Sequence, residues 1–548
     1  MKKQWLMMLA LGLALISCAQ TKDKGNPAAG IDHFLTHQAG LNKLNGTVLV
    51  AKQGHVLLNK GYGYRNAEDQ VLHDSSSIFQ IYSITKTFTS TMIFRLIEEK
   101  KLSLDDRLSK FYPGFPNGDN ITIDHLLTHT SGINDQTDSD APQTEAYRVA
   151  QFGKNIPHFA PGDGWAYCNG GYQLLGYIIQ QLTGLSYERA IRETIFKPLG
   201  MTHSGFDYKG LSSPHKSVAY HRFSNERKDV AQLYDSTGPF AAGSIYSSVG
   251  DLFRYYKSFR SHKIISESSQ AIAFAPGKNN ERYGHGWQLS KVLMKSGVVS
   301  HSGGATGFRS NFAMVPEEDI CIIILNNHEN ANPEYLTGKI IDLLNGKNIE
   351  GAQEVKLTSA ELAPLIGAYR ISEPQPMMIY TSIMDARLAI DVAGQGPTVV
   401  IATGAHTFLQ DEADAVLTFS KDVHGVFSEL EISQGWMKKL RAKRVASTWG
   451  ILGDATAKGW DDSTPDLRLA EDSTRKGVWR IHAIEMKQGD FKFRLDNDWG
   501  HNLGDLHGDQ LLEDSGPNIR VEAGVYDIVL DLTDPTRPRY TLARLSHP

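Results

Sequence analysis

Residues 80–90 read QIYSITKTFTS and place Ser83 three residues ahead of Lys86. From Ile84 the apolar residues Phe88, Met92, Ile93, Leu96 and Ile97 recur at helical spacing, and the strand-like IFQIYS leads into them. One helical turn separates the hydroxyl from the amine, so both side chains point the same way. The junction also exposes first-turn N–H groups that have no partner inside the helix. S-x-x-K alone is a weak signal, because Ser213-Pro214-His215-Lys216 spells it again in a loop-like stretch with no apolar helix behind it. Ser83 is therefore either a nucleophile beside its base or an accident on a helix, and its company has to decide.

That company comes in order. GWAYCNGGYQLLGY holds Tyr167-Cys168-Asn169 just before a second helical pattern, and GVVSHSGGATGF holds His301-Ser302-Gly303-Gly304 on a late strand. With KLSLDDRLSKFYPGFP, ITIDHLLTHTSGI, PLGMTHSGF, GSIYSSVGDL and YGHGWQLS, these segments resemble the serine β-lactamase, penicillin-binding and esterase superfamily, nearest its class C branch, over about residues 30–345. The resemblance implies an α/β domain at 31–348, an antiparallel sheet flanked by helices with a helical subdomain. It also implies Ser83 as nucleophile, Lys86 and Tyr167 as proton handlers, and Asn169 as a hydrogen-bonding partner of Lys86 and substrate. The backbone N–H groups of Ser83 and Gly304 would form the oxyanion hole. Which of Lys86 and Tyr167 takes the first proton is open at this level.

Two positions depart from the family pattern. Cys168 stands where serine is common between the tyrosine and the asparagine, and His301 stands where typical β-lactamases carry lysine. A histidine of ordinary pKa, about 6.5, is mostly neutral at neutral pH and holds a substrate carboxylate less firmly. This tilts the expected activity from penicillinase towards esterase or peptidase on a small-molecule or peptide substrate. A D,D-peptidase, a β-lactamase and a non-catalytic glycan-binding protein are the alternatives. No cofactor is implied. His125 and His129 have zinc-helix spacing, but position 126 is leucine where the H-E-x-x-H glutamate would stand, so no metal site is expected. Tyr64-Arg65-Asn66 also spells Y-x-N, out of order on the first hairpin.

Beyond a polar linker near 350, residues 357–445 offer short β-like runs (MMIYTS, RLAIDV, TVVIATG, AVLTFS, ELEIS) that suggest a small barrel, resembling the lipocalin-like domain appended to such hydrolases. Residues 446–548 resemble the β-sandwich modules of starch-binding outer-membrane lipoproteins, where Trp449, Trp460, Trp479 and Trp499 could stack on sugar faces or simply pack the sandwich.

The chain has 548 residues, 41% hydrophobic and 21% charged, with a net charge of -5 and no long cationic run, which excludes a nucleic-acid-binding face. Its N-terminus pairs Lys2 and Lys3 with a short apolar run, shorter than the about 20 residues of a spanning helix. The run ends in Leu15-Ile16-Ser17-Cys18, which resembles a bacterial lipobox, with 1–18 as signal peptide and 19–30 as a flexible tether. The resemblance implies export and a lipid anchor at Cys18 in the cell envelope. Only Cys168 and Cys321 remain, too few for a disulfide framework.

Overall fold

The computed structural model describes residues 27–545 except 137–143, 226–227, 291–296, 348, 350–353, 374–375, 393–396, 436–438, 462, 506–507, 515 and 534–536. The N-terminal run with Cys18 lies outside the described residues, as do residues 348 and 350–353 of the linker near 350.

The first unit is built from α1 (Pro27–Gly40), β1 (Gly46–Lys52), β2 (His55–Tyr62), α2 (Thr85–Glu98), α3 (Asn169–Thr183), α4 (Val249–Arg260), β3 (Gln288–Ser290), β4 (Val298–Ala305), β5 (Phe308–Val315), β6 (Ile320–Asn326) and α5 (Pro333–Leu344). Six of its strands form one antiparallel sheet in the order β3-β4-β5-β6-β1-β2. The β1–β2 hairpin turns at Gln53 and Gly54, both at positive φ (51° and 75°). That is the turn geometry whose twist matches its strands.

Both faces of the sheet are covered, which is why β6 reads as an unbroken apolar run. Ile320, Ile322 and Ile324 share one core with Val48, Val50 and residues of α1 and α5. The alternate residues Cys321, Ile323 and Leu325 face the larger core that takes in α2, α3 and α4. α2 runs through that core, so its threonines need internal partners: Thr89 Oγ1 donates to the Ala241 carbonyl at 2.6 Å and Thr91 pairs with the Tyr255 hydroxyl at 2.7 Å. α3 stops at Gly184 in the left-handed conformation (φ 70°).

Two all-β units follow. Strands from Gly367–Ile371 to Leu440–Val445 form a nine-stranded antiparallel sheet whose two ends, Thr398–Val399 and Ile401–Ala402, are separated only by Val400. The sheet thus curls into a nearly closed barrel around Tyr369, Ile379, Phe408, Leu417 and Leu430. Beyond it, a sheet containing Trp449–Leu452 and Gly489–Leu495 faces another containing Val478–Met486 and Gly524–Asp531, over a core of Ile451, Phe491, Phe493, Ile528 and Leu530. Inside this unit Arg494 and Asp466 form a wholly buried two-point ion pair, at 2.9 Å and 2.5 Å.

The barrel meets the hydrolase-like unit through polar contacts. Asp411 accepts from Lys43 and, at 3.1 Å, from Gln38. Asp385 accepts from Asn42 Nδ2 at 2.6 Å and from the Asn225 N–H at 2.9 Å. Asn332, which caps α5, donates to Glu412 at 3.0 Å.

Candidate active site

Ser83 lies in a 3₁₀ turn, Tyr82–Ile84, between the short strand Phe79–Gln80 and the start of α2. The residue before it, Tyr82, has φ +42°, a region bulky side chains avoid at a cost of about 1–3 kcal/mol. Its hydroxyl is pinned to the Thr306 carbonyl at 2.9 Å, and its ring packs on Phe308. Gly303 is required here by contact: a Cβ on it would fall 2.0 Å from the Ile81 carbonyl oxygen and 3.3 Å from the Ser83 nitrogen. The glycine lets β4 run against the turn, and it brings exposed Gly304 to the same cleft as Ser83.

Lys86 has no exposed surface, and its Nζ lies 3.1 Å from Ser83 Oγ. The amine also donates to Asn169 Oδ1 at 2.8 Å and to the Ala242 carbonyl at 2.9 Å. Burial pulls its pKa down to about 7, against the opposing pull of Asp135 and Cys168. An amine in that state can accept a hydroxyl proton at neutral pH.

Tyr167 has its ring 4.8 Å from Lys86 Nζ. The residue as a whole is 39% exposed. Burial around its hydroxyl pushes the phenol well above its ordinary range, and a hydrogen bond with Ser83 offsets this only in part, so Tyr167 is held as a phenol rather than a phenolate. Cys168 is buried and caps α3, its Sγ accepting from the Gly171 N–H at 3.2 Å, the work a serine does at a helix start. Asn169 is the first residue of α3, which is how its amide reaches Lys86.

His301 is buried. Its Nδ1 lies 2.7 Å from the Ser302 carbonyl, which can only accept, so the proton sits on Nδ1. Nε2 therefore accepts from the Tyr283 hydroxyl at 3.0 Å. Burial, and then the field of Lys86, lower its pKa to about 3. The ring is neutral with both nitrogens engaged.

Three partners of the site escape the motif reading. The Ala242 carbonyl carries no side-chain signature at all. Tyr283 lies within YGHGW, and His129 within HLLTHTSG, both quoted above for their resemblance without a role. His129 sits at positive φ (62°), its ring 4.5 Å from that of Tyr167 and 4.6 Å from that of Tyr283, and its Nδ1 accepts from the Cys168 N–H at 3.1 Å. It thus fixes the backbone on the far side of Tyr167. His125 caps the helix Ile123–Leu127 with Thr122. Ser213 accepts from the His215 N–H in a turn, while Lys216 reaches the Lys209 carbonyl. Tyr64–Asn66 is a short strand.

Ser83 opens onto two clefts. One, of about 310 Å³, runs past Asp135, Arg148, Asn169 and Gln173. The other, of about 290 Å³, runs past Tyr167, His301, Arg309 and Glu334.

A serine at the entry to a buried helix, within reach of that helix's lysine and beside the last strands of such a sheet, is the arrangement of a serine hydrolase. Residues 38–345 match the model of the beta-lactamase family, and the chain belongs to that family. It is 31% identical over 302 residues to the putative penicillin-binding protein PbpX of Bacillus subtilis, covering 55% of this chain and 75% of that one. With penicillin-binding protein 4* of the same organism it shares 27% identity over 388 residues, covering 65% and 85%. Among solved structures, the octameric penicillin-binding protein homologue from Pyrococcus abyssi is similar at 25% identity and TM-score 0.55, covering 76% of this chain and 99% of that one. The D-amino acid amidase from Ochrobactrum anthropi shares the fold at 20% identity and TM-score 0.51, covering 58% and 99%.

Proposed function

We propose that the protein hydrolyses ester or amide bonds through an acyl-enzyme on Ser83, at the cell envelope if Cys18 is lipidated. The reading is carried by the amine of Lys86, 3.1 Å from the Ser83 hydroxyl with its pKa drawn down to about 7. Lys86 takes the Ser83 proton as the Oγ–carbonyl carbon bond forms. The Ser83 and Gly304 N–H groups receive the developing oxyanion. The proton passes to the leaving group, with neutral Tyr167 as the relay, as the old bond to the carbonyl carbon breaks. Water then repeats the sequence at the acyl-enzyme, releasing the acid and restoring Ser83. Asn169 keeps Lys86 aimed.

A fold built to form an acyl-serine also suits a D,D-peptidase or a β-lactamase, in keeping with the names its relatives carry. The test treats wild type and Ser83→Ala with a fluorophosphonate and with a penicillin and follows intact mass. Adducts on wild type alone support the reading, and a penicilloyl adduct that persists selects the peptidase branch. No adduct with either probe would overturn it. A glycan surface on residues 446–548 is a separate proposal. Trp449 and Trp479 pack against the sandwich core, whereas Trp460 and Trp499 are 37% and 40% exposed, with rings 6.0 Å apart and inclined by 31°. Loss of retardation in glycan-containing gels on Trp460→Ala would support it.

A further inference from the structure

The two N–H groups proposed to receive the oxyanion stand on different elements, Ser83 on the turn before α2 and Gly304 on β4. Their spacing has to be set by whatever ties those elements together. β3 pairs only with Val298–Ser300, so among the described residues β4 from His301 to Ala305 is laddered on one side alone, to β5. Its end is the two-residue turn Thr306–Gly307, and there the nucleophile's own turn takes hold of it: the Tyr82 hydroxyl donates to the Thr306 carbonyl at 2.9 Å. On the footing of the acyl-serine reading, we propose that Glu329 is a positioning residue for acylation, holding the Thr306–Gly307 peptide in the orientation that Tyr82 needs.

The Thr306 carbonyl and the Gly307 N–H belong to one peptide unit, the central one of the turn. Positive φ at Gly307 (81°) and not at Thr306 is the pattern of a type II turn. Types I and II differ by a half-rotation of that unit, and neither has the twist that suits a hairpin's strands. What grips the two ends of the peptide therefore decides which way it faces. Tyr82 takes the oxygen. At the other end the N–H donates to Glu329 Oε1 at 2.8 Å. Flipped, the peptide would turn its carbonyl onto the carboxylate and take the acceptor away from Tyr82. The strained residue beside Ser83, with φ +42°, would lose the bond that ties its turn to β4.

Glu329 is itself held for this work. It follows the end of β6, and its second oxygen, Oε2, lies 3.0 Å from His221 Nδ1 on the short strand Tyr220–Phe223. Ala219, just before that strand, and Ala231 close on the tip from the same quarter. A Cβ on Gly307 would fall 2.5 Å and 2.9 Å from their Cβ atoms, so the turn has no room to move that way. Glu329 lines neither cleft at Ser83 and acts on the reaction only through the turn.

The test uses the full chain with p-nitrophenyl acetate and its thionoester, whose sulfur is the weaker hydrogen-bond acceptor, and runs fluorophosphonate labelling of Ser83 in parallel. Glu329→Ala should lower kcat for the oxygen ester about 30-fold with KM little changed, short of the about 10²–10³ of a deleted oxyanion donor. It should also lower the oxygen-to-sulfur rate ratio about tenfold, which a loss of folded protein would not do. Glu329→Gln keeps an acceptor for the N–H and should recover kcat to within about fivefold of wild type. Tyr82→Phe removes only the hydroxyl at the peptide's other end, carries the test should Glu329→Ala not fold, and should show the same two losses. Because both act through one peptide, the double variant should be no slower than the slower single one. A ratio within about twofold of wild type in either single variant, losses that multiply in the double variant, or a Gln variant as slow as the Ala variant would each overturn the proposal. So would labelling of wild-type Ser83 without release of p-nitrophenol, and all four results leave the acyl-serine reading intact. Failure of wild-type Ser83 to label at all would overturn both.

Discussion

The amine of Lys86 sets a measurable pH threshold. Its pKa of about 7 comes from burial, and in the proposed mechanism the neutral form is the one that accepts the Ser83 proton. The neutral fraction is about 0.9 at pH 8 and about 0.01 at pH 5, so acylation should fall about 90-fold across that range, tenfold per unit below pH 7. The assay is the second-order rate of fluorophosphonate addition to Ser83, read by intact mass from pH 5 to 10. A rate flat from 8 to 5 would remove Lys86 as the base. A rate still climbing tenfold per unit up to pH 10 would give it an ordinary lysine pKa and refute the burial account. The same shift has a stability consequence. Between pH 7 and 10.5 the unfolded chain holds a proton on Lys86 that the native state has shed, so native stability rises with pH through that window. The rise is at most about 5 kcal/mol, at about 1.4 kcal/mol per unit, and it should vanish in Lys86→Met when chemical unfolding at pH 7 and pH 10 is compared for the two proteins.

Tyr167→Phe should slow acylation by about 100-fold while leaving the midpoint of the acid limb near pH 7; a midpoint displaced by a unit or more would make Tyr167 the titrating base. Gly303→Ala should abolish Ser83 labelling, because its Cβ would press on the Ile81 carbonyl and force β4 away from the turn; labelling within threefold of wild type would show that the close approach is dispensable. Arg494→Ala strands Asp466 in the sandwich interior at a cost of about 3–5 kcal/mol, so protease should trim the C-terminal unit while Ser83 still labels. An untrimmed chain would mean the pair contributes little.

Much of this arrangement is legible in the sequence because it rests on local periodicity. The run CIIILNN announces a strand buried on both faces, and the apolar spacing after Ile84 announces α2. Ser83, Lys86, Tyr167, Asn169 and Gly304 stand in family motifs, and the fold brings them together. What stays hidden is long-range or main-chain in origin. Nothing in the letters FAAG says that the Ala242 carbonyl will accept a hydrogen bond from Lys86, since a carbonyl is common to every residue. His301 reads as a mostly neutral, weak contact to a substrate carboxylate, yet Tyr283, eighteen positions earlier, and the Ser302 carbonyl engage both its nitrogens and the ring is buried. Tyr167, legible only as a proton handler, is held as a phenol because burial of its hydroxyl disfavours the charged form. Desolvation of this kind is set by packing among segments far apart in the chain.

The contact between Asn332 and Glu412 has a consequence for how such a chain diversifies. Asn332 caps α5, and the next two residues, Pro333 and Glu334, form a wall of the cleft beside Ser83. A substitution in the barrel's 411–414 turn therefore reaches that wall through the cap without altering a residue of the hydrolase unit. Substrate range can drift under selection in the appended barrel while every motif that marks the enzyme stays unchanged.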